Sequence, residues 1–241
     1  MSLKGVFDRF LFLLSVPTCV CCKERLNYGD LALCPKCSAE FEEIKTRNCS
    51  RCAKILSECS CSTRFLESHF ISGSVKCFRY NPREGNLPAN SLIYSLKRDN
   101  RDDVLKRCTS EICTAINNSI NVDDSFVITN VPRRHKAIVE FGFDHSELLA
   151  RSVAKSLGVD YIRFLKSKAK SEQKQLKADE RMTNTDFELK RFESMKGKNI
   201  IIVDDIITTG ASMAASATLI KSLRPKNIYS AALGIAYKDD L

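Results

Sequence analysis

The chain has 241 residues, 44% of them hydrophobic, which is enough for a packed core and excludes a disordered polymer. That length suits one ordinary domain plus a small module, or two modest domains. Lysine and arginine outnumber aspartate and glutamate by 38 to 29, a formal charge of +9. A basic balance favours polyanions such as nucleic acid, and it equally describes a soluble protein with a basic surface.

Residues 7–16 (FDRFLFLLSV) form the first apolar stretch. It is too short to span a bilayer. Asp8 and Arg9 interrupt it, and Pro17 and a CxxC follow where a signal peptide needs a small-residue cleavage site. It reads as a short amphipathic helix resting on the next module. No other stretch is apolar and long enough to cross a membrane, so the expected location is the cytoplasm.

Twelve cysteines are present, nine of them from Cys19 to Cys61, and eight of those nine, all but Cys21, are paired. They fall into the pairs Cys19/Cys22, Cys34/Cys37, Cys49/Cys52 and Cys59/Cys61, three CxxC and one CxC. Two such pairs make a tetrahedral thiolate cage for zinc, so eight thiolates imply two ions. The regular pairing favours zinc over disulfides or redox-active CxxC. The simplest assignment is sequential, Cys19, Cys22, Cys34 and Cys37 on one ion and Cys49, Cys52, Cys59 and Cys61 on the other; spacing also permits a crossed one. Four thiolates leave no open coordination position, so the role is structural. Lys23, Arg25, Lys36, Lys45, Arg47, Arg51 and Lys54 lie among the ligands and offset their charge. Cys21, Cys77, Cys108 and Cys113 fall outside the pattern. Residues 18–65 have few apolar runs, and metal is expected to hold them together in place of a large core. The expected division is a helix and double zinc ribbon over 1–65 and an α/β domain over 66–241.

Beyond His69 the texture changes. Residues 74–80 read as a strand, 82–88 as a turn-rich break, and 91–97 and 102–117 as helices. Residues 125–131 are a short apolar run ending at Pro132, which suits a buried strand. Residues 144–157 are helical with Gly158 as the stop, and 161–165 form a weaker strand. Residues 166–184 are polar and lysine-rich, a solvated loop or a lid over an anionic ligand. Residues 198–204 predict a strand, 212–223 a helix and 227–233 a final strand. Strands alternating with helices indicate an α/β domain with a mainly parallel sheet.

The stretch 200–212, IIIVDDIITTGAS, carries the chemistry. An apolar central strand ends in Asp204 and Asp205, where open α/β sheets bind ligands. Gly210 and its small neighbours let backbone N–H groups approach a phosphate, and a helix N-terminus adds its dipole. Thr208, Thr209 and Ser212 add hydroxyl donors. The acidic pair suits two adjacent ribose hydroxyls, so the stretch is expected to bind a 5-phosphoribosyl group.

This stretch resembles the binding signature for phosphoribosyl diphosphate (PRPP) of type I phosphoribosyltransferases. The wider chain resembles the ComF/ComFC family of competence proteins. The likeness runs through the apolar helix ending in Pro17, the Cys pairs, Leu92 to Lys97, Val131-Pro132, and Gly142-Phe143 leading into Ser146-Glu147-Leu148-Leu149-Ala150. It continues through Gln173, Leu176, Glu180-Arg181, Asn184 and Phe187. The resemblance implies a double zinc ribbon on a type I phosphoribosyltransferase-like domain. It implies PRPP contacts at Asp204, Asp205, Ile206, Thr208, Thr209, Gly210, Ala211 and Ser212, with Pro132 to Arg134 as a pyrophosphate-side turn. Magnesium would bridge pyrophosphate and ribose, and residues 166–184 would form the flexible hood. It also implies a role in bringing single-stranded DNA into the cytoplasm during natural transformation, alongside competence-machinery proteins at the inner face of the membrane.

One segment departs from the family. Where the family reads Arg-Gly-Phe-Asn-Gln, this chain has Phe141-Gly142-Phe143-Asp144-His145. The local charge changes, and His145 becomes either an acid/base candidate or a helix-start residue. Three functions follow: a competence accessory protein that binds PRPP or a related phosphoribosyl compound, a transferase moving ribose 5-phosphate from PRPP to a base, and a nucleic-acid-binding zinc adaptor with a vestigial pocket. No base-recognition element is identifiable in the sequence.

Overall fold

The computed structural model describes residues 16–81, 83, 87–133, 135–168 and 187–236. The expected N-terminal helix apart from Val16, Arg134, and nearly all of the expected hood lie outside the described residues, as do Gln173, Leu176, Glu180, Arg181 and Asn184.

Strands β1 (Gly73–Arg79), β2 (Phe126–Asn130), β3 (Asp160–Tyr161), β6 (Asn199–Ile207) and β7 (Asn227–Ile235) form one sheet in the order β1-β7-β6-β2-β3. All of its neighbours pair in parallel. Strands β4 (Leu165–Ser167) and β5 (Phe187–Leu189) make a separate antiparallel pair. The helices are α1 (Pro35–Lys45), α2 (Arg64–Ser68), α3 (Pro88–Arg98), α4 (Asp102–Ser119), α5 (His135–Phe141), α6 (His145–Leu157) and α7 (Ala211–Lys221).

A central parallel strand is buried on both faces, so β6 is apolar throughout its first half. Ile201 and Val203 join the core on one side of the sheet, and Ile200 and Ile202 join the core on the other. The first core is completed by α3, α4 and α6, the second by α7, Leu66 of α2 and the β4–β5 pair. The result is a three-layer α/β architecture with a mainly parallel sheet, as expected. No described helix is long and apolar enough to cross a membrane.

Local signals account for the helix ends. Pro88 opens α3 within its first turn, where a missing N–H costs nothing. Asp144 caps α6, accepting from the Glu147 amide at 3.1 Å. Gly158 ends the same helix at φ 71°, a left-handed conformation that glycine adopts without strain.

Several expectations need correction. Residues 161–165 are not one strand: the chain leaves β3, and Leu165 begins β4 in the other sheet. Strand β6 runs to Ile207, so Asp204 and Asp205 lie within it and not beyond its end. Helices α1 and α5 lie outside the predicted elements, because α5 has only seven residues and α1 buries only Cys37 and Phe41. The first half of the cysteine module does share a substantial core. Val20, Leu26, Leu33 and Phe41 are buried together with residues of α3, α4 and β1.

Candidate functional site

Strand order places a switch point between β2 and β6. From β2 the chain adds β3 on one side, and from β6 it adds β7 on the other. Ligands of open α/β sheets bind at such a point, outside the carboxyl ends of the strands. Val131, Pro132 and Arg133 leave β2 there, and residues 208–212 follow the end of β6 there.

The two carboxylates differ. Asp205 is buried, and its Oδ2 accepts from Lys97 Nζ at 2.9 Å and pairs with His145 Nε2 at 2.9 Å. Its Oδ1 accepts from the Ile206 amide at 2.7 Å. Burial opposes the charge, but the His145 hydrogen bond and the Lys97 ammonium outweigh it and hold Asp205 at about 2. Asp204 is partly exposed; its Oδ1 accepts from the Asp205 amide at 2.9 Å, and Ser146 lies at 3.5 Å. Desolvation and the neighbouring Asp205 charge push Asp204 well up. Its Oδ2 is free of protein partners among the described residues.

His145 is the first residue of α6 and is buried. Its Nδ1 is buried without a partner among the described residues. An Nε2–H donated to Asp205, with Nδ1 bare, is the arrangement that leaves no buried N–H unpaired. His145 therefore positions Asp205. The sequence marks His145 without its partner, and Lys97 only as the end of a resembling helix.

Downstream of β6, Thr208 and Thr209 are exposed and Gly210 is buried at φ 79°. The Thr209 hydroxyl accepts from the Ala211 amide at 3.3 Å, opening α7. Asp204, Ile206 and the residues to Met213 line a recess of about 50 Å³. On the facing side, Arg133 lies over the Phe141 ring at 4.7 Å and its amide approaches Asp144 at 3.4 Å. Asp144, the departure from the family Asn, thus serves both as helix cap and as acceptor for the turn after β2. Hollows of about 230 and 520 Å³ open instead by the amino ends of the strands, away from this switch point.

The eight paired cysteines gather sequentially. Cys19, Cys22, Cys34 and Cys37 form one group and Cys49, Cys52, Cys59 and Cys61 another, with the sulfurs of each group within 4.8 Å of one another. None of the twelve cysteines is in a disulfide. Sulfurs 3.6 Å apart in the first group (Cys22, Cys34) and 3.4 Å in the second (Cys52, Cys59) are too far for a disulfide. They are near the roughly 3.8 Å edge of a tetrahedral zinc–thiolate cage. The charges fit as well. Burial opposes ionisation at Cys19 and Cys49, yet backbone amides pointing at each sulfur bring both to about 7. Burial pushes Cys59 up to about 12, and burial with neighbouring thiols pushes Cys37 up further. Such a cage ionises fully only around a cation. Cys77 and Cys108 are buried core thiols.

Comparison with known proteins covers the site half of the chain. Residues 144–236 match the family model described as phosphoribosyl transferase domain. A phosphoribosyltransferase-type domain is therefore present, preceded by two groups of four cysteines. Ribose-phosphate pyrophosphokinase of Thermococcus kodakarensis is 38% identical over 84 residues, 34% of this chain and 25% of the relative. The enzyme of the same name from Pyrococcus abyssi is 35% identical over 81 residues, 33% of this chain and 24% of the relative. The chain thus spans about a quarter of the length of these curated relatives. Among solved structures, an adenine phosphoribosyltransferase is 20% identical, with 65% of this chain and 80% of that one covered and a TM-score of 0.31. A hypoxanthine phosphoribosyltransferase from Staphylococcus aureus is 10% identical, with 62% and 76% covered and a TM-score of 0.31.

Proposed function

We propose that the protein binds PRPP, or a closely related phosphoribosyl compound, together with magnesium. The observation that carries this reading is the phosphate-sized loop directly after an acidic pair at the switch point of a parallel sheet. The 5-phosphate would rest on the amides and hydroxyls of residues 208–212 and meet the positive end of α7. Asp204, with an oxygen to spare, accepts from a ribose hydroxyl. Asp205, occupied by Lys97 and His145, acts as an anchor that fixes the pair. Pro132 and Arg133 face the pyrophosphate side. Magnesium prefers oxygen donors and binds through one or two carboxylates plus substrate phosphates, a role open to Asp204. It would neutralise the diphosphate.

Each cysteine group holds one structural zinc in this reading, which suits the reducing cytoplasm. We take the biological setting to be uptake of single-stranded DNA in natural transformation, working with competence proteins at the inner membrane face; the family resemblance and the basic charge support it. The alternative is transfer of ribose 5-phosphate from PRPP to a base through an oxocarbenium-like transition state. The domain match supports that chemistry, and the acceptor would need a recognition element.

Thermal unfolding tests the binding step. PRPP with magnesium is expected to raise the Tm, by about 2.7 kcal/mol of stabilisation at a hundredfold excess over Kd. Asp204→Asn, which leaves the Lys97–Asp205–His145 contacts in place, should remove the shift without changing zinc content. No shift at millimolar PRPP in the wild type would sink the reading.

A further inference from the structure

The second cysteine group is joined to the phosphate loop by a short chain of contacts. It starts at Lys76, in the middle of β1 and fully buried. Its ammonium donates to the carbonyl of Cys61 at 2.7 Å and to that of Cys59 at 3.4 Å, and reaches the Cys59 sulfur at 3.3 Å. The Ser74 amide adds a bond to the Ser60 carbonyl at 2.8 Å. The CxC turn is thereby fixed on the sheet. A buried ammonium is costly without an anion beside it, and a metal–thiolate cage supplies one.

Two residues past Cys61, Thr63 caps α2 by accepting from the Leu66 amide. From the other knuckle, Arg51 donates to the Ser62 carbonyl and pairs with Glu67 of α2 at 2.6 Å. Helix α2 is thus held from both halves of the cage. Its Leu66 is fully buried and presses on Gly210: a methyl group placed there would meet Leu66 Cδ2 at 3.0 Å and Phe65 Cδ1 at 3.4 Å. Gly210 is the residue at which the phosphate loop turns into α7.

We propose that metal in the second cysteine group braces the phosphate loop through α2, so that metal occupancy and phosphate affinity are coupled. The proposal rests on the phosphoribosyl reading for its ligand, but the mechanical link is separable from it. Coupling of this kind is reciprocal: loss of the metal weakens ligand binding by some factor, and ligand tightens the metal by the same factor.

Hydrogen exchange at residues 208–212 tests the link without ligand. Cys52→Ser should lose one of two zinc ions, speed exchange at 63–68 and 208–212, and weaken PRPP·Mg binding roughly tenfold by calorimetry. Unchanged exchange at 208–212 in a protein that has lost the second zinc overturns the brace. Should Cys52→Ser fail to fold, Leu66→Val decides, because it removes one buried methylene and leaves all eight thiols. Faster exchange at 208–212 with both zinc ions retained supports the brace; unchanged exchange rejects it. If the wild type binds no PRPP, the ligand reading fails while exchange still decides the coupling.

Discussion

The two cysteine groups have the same ligand set and different anchorage. The first sinks into the body of the protein: Cys19, Cys34 and Cys37 are buried with Val20, Leu33 and Phe41 in the same core as α3, α4 and β1. Phe41 meets Phe78 edge-on at 5.5 Å, Lys45 of α1 reaches Glu111 of α4 at 2.7 Å, and Arg107 of α4 reaches Glu42 of α1 at 3.0 Å. The second group has a core of only Cys49, Leu56 and Cys59, and polar contacts from Lys76 and Arg51 do the holding. Apolar burial is non-directional and spreads load over a wide area, whereas a few directed contacts transmit position. The first group therefore shares the main core, and the second is held on β1 and α2 by directed contacts. Near the first group, Arg101 bonds the Thr18 carbonyl at 3.0 Å just beyond the helix that carries Lys97.

The largest effect is expected where burial dominates. Phe41→Ala should cost about 3–5 kcal/mol in urea unfolding, in a single transition. A loss below about 1 kcal/mol, or a separate early transition, would break the contrast by making the first group an independent module.

On the Lys97 side of the site the expected effect is next in size. Asp205 lies near 2 in the fold and near 3.9 when unfolded, so its charged form favours folding. That contribution is complete above about pH 4 and is lost as pH falls toward about 2, roughly 2–3 kcal/mol. Urea midpoints of the wild type should rise with pH between about 2 and 4, below the range where the raised Asp204 carboxyl adds its opposite slope, and Asp205→Asn should lack its part of that rise. Equal slopes would remove the assignment of Asp205 as the charged anchor.

In the second group Leu56→Ala is expected to cost about 2 kcal/mol, the low end for a buried leucine, because few apolar neighbours surround it. Thr63→Ala, which removes the cap of α2, should cost about 1 kcal/mol. Both losses should appear by hydrogen exchange as local opening of residues 49–68 before global unfolding. If either matched Phe41→Ala in size, the two groups would be equivalent supports after all.

Much of this was legible in the chain. The Cys pairs marked the eight ligands, since a CxxC turn brings its own two sulfurs together locally, while the fold decided that consecutive pairs share a group. The apolar run at 200–203, the following acidic pair and the Thr-Thr-Gly turn marked the site, because each is a short-range pattern with one structural solution. Less visible was the unequal use of Asp204 and Asp205. That depends on Lys97 and His145 arriving from distant helices. A charged residue in the apolar strand Gly73–Arg79 was a readable sign that Lys76 has a special partner, but nothing nearby in sequence names that partner as Cys59 and Cys61.

By itself, then, the sequence determined the strand–helix alternation, the thiolate pairs and the phosphate loop, all set by periodicity and turn chemistry within a few residues. The tertiary structure alone decided which carboxylate stays open to a ligand and which is locked. It also decided that α2 closes on Gly210. Both follow from packing elements far apart in the chain into one low-dielectric site, where contacts and charges act through space and not along the backbone.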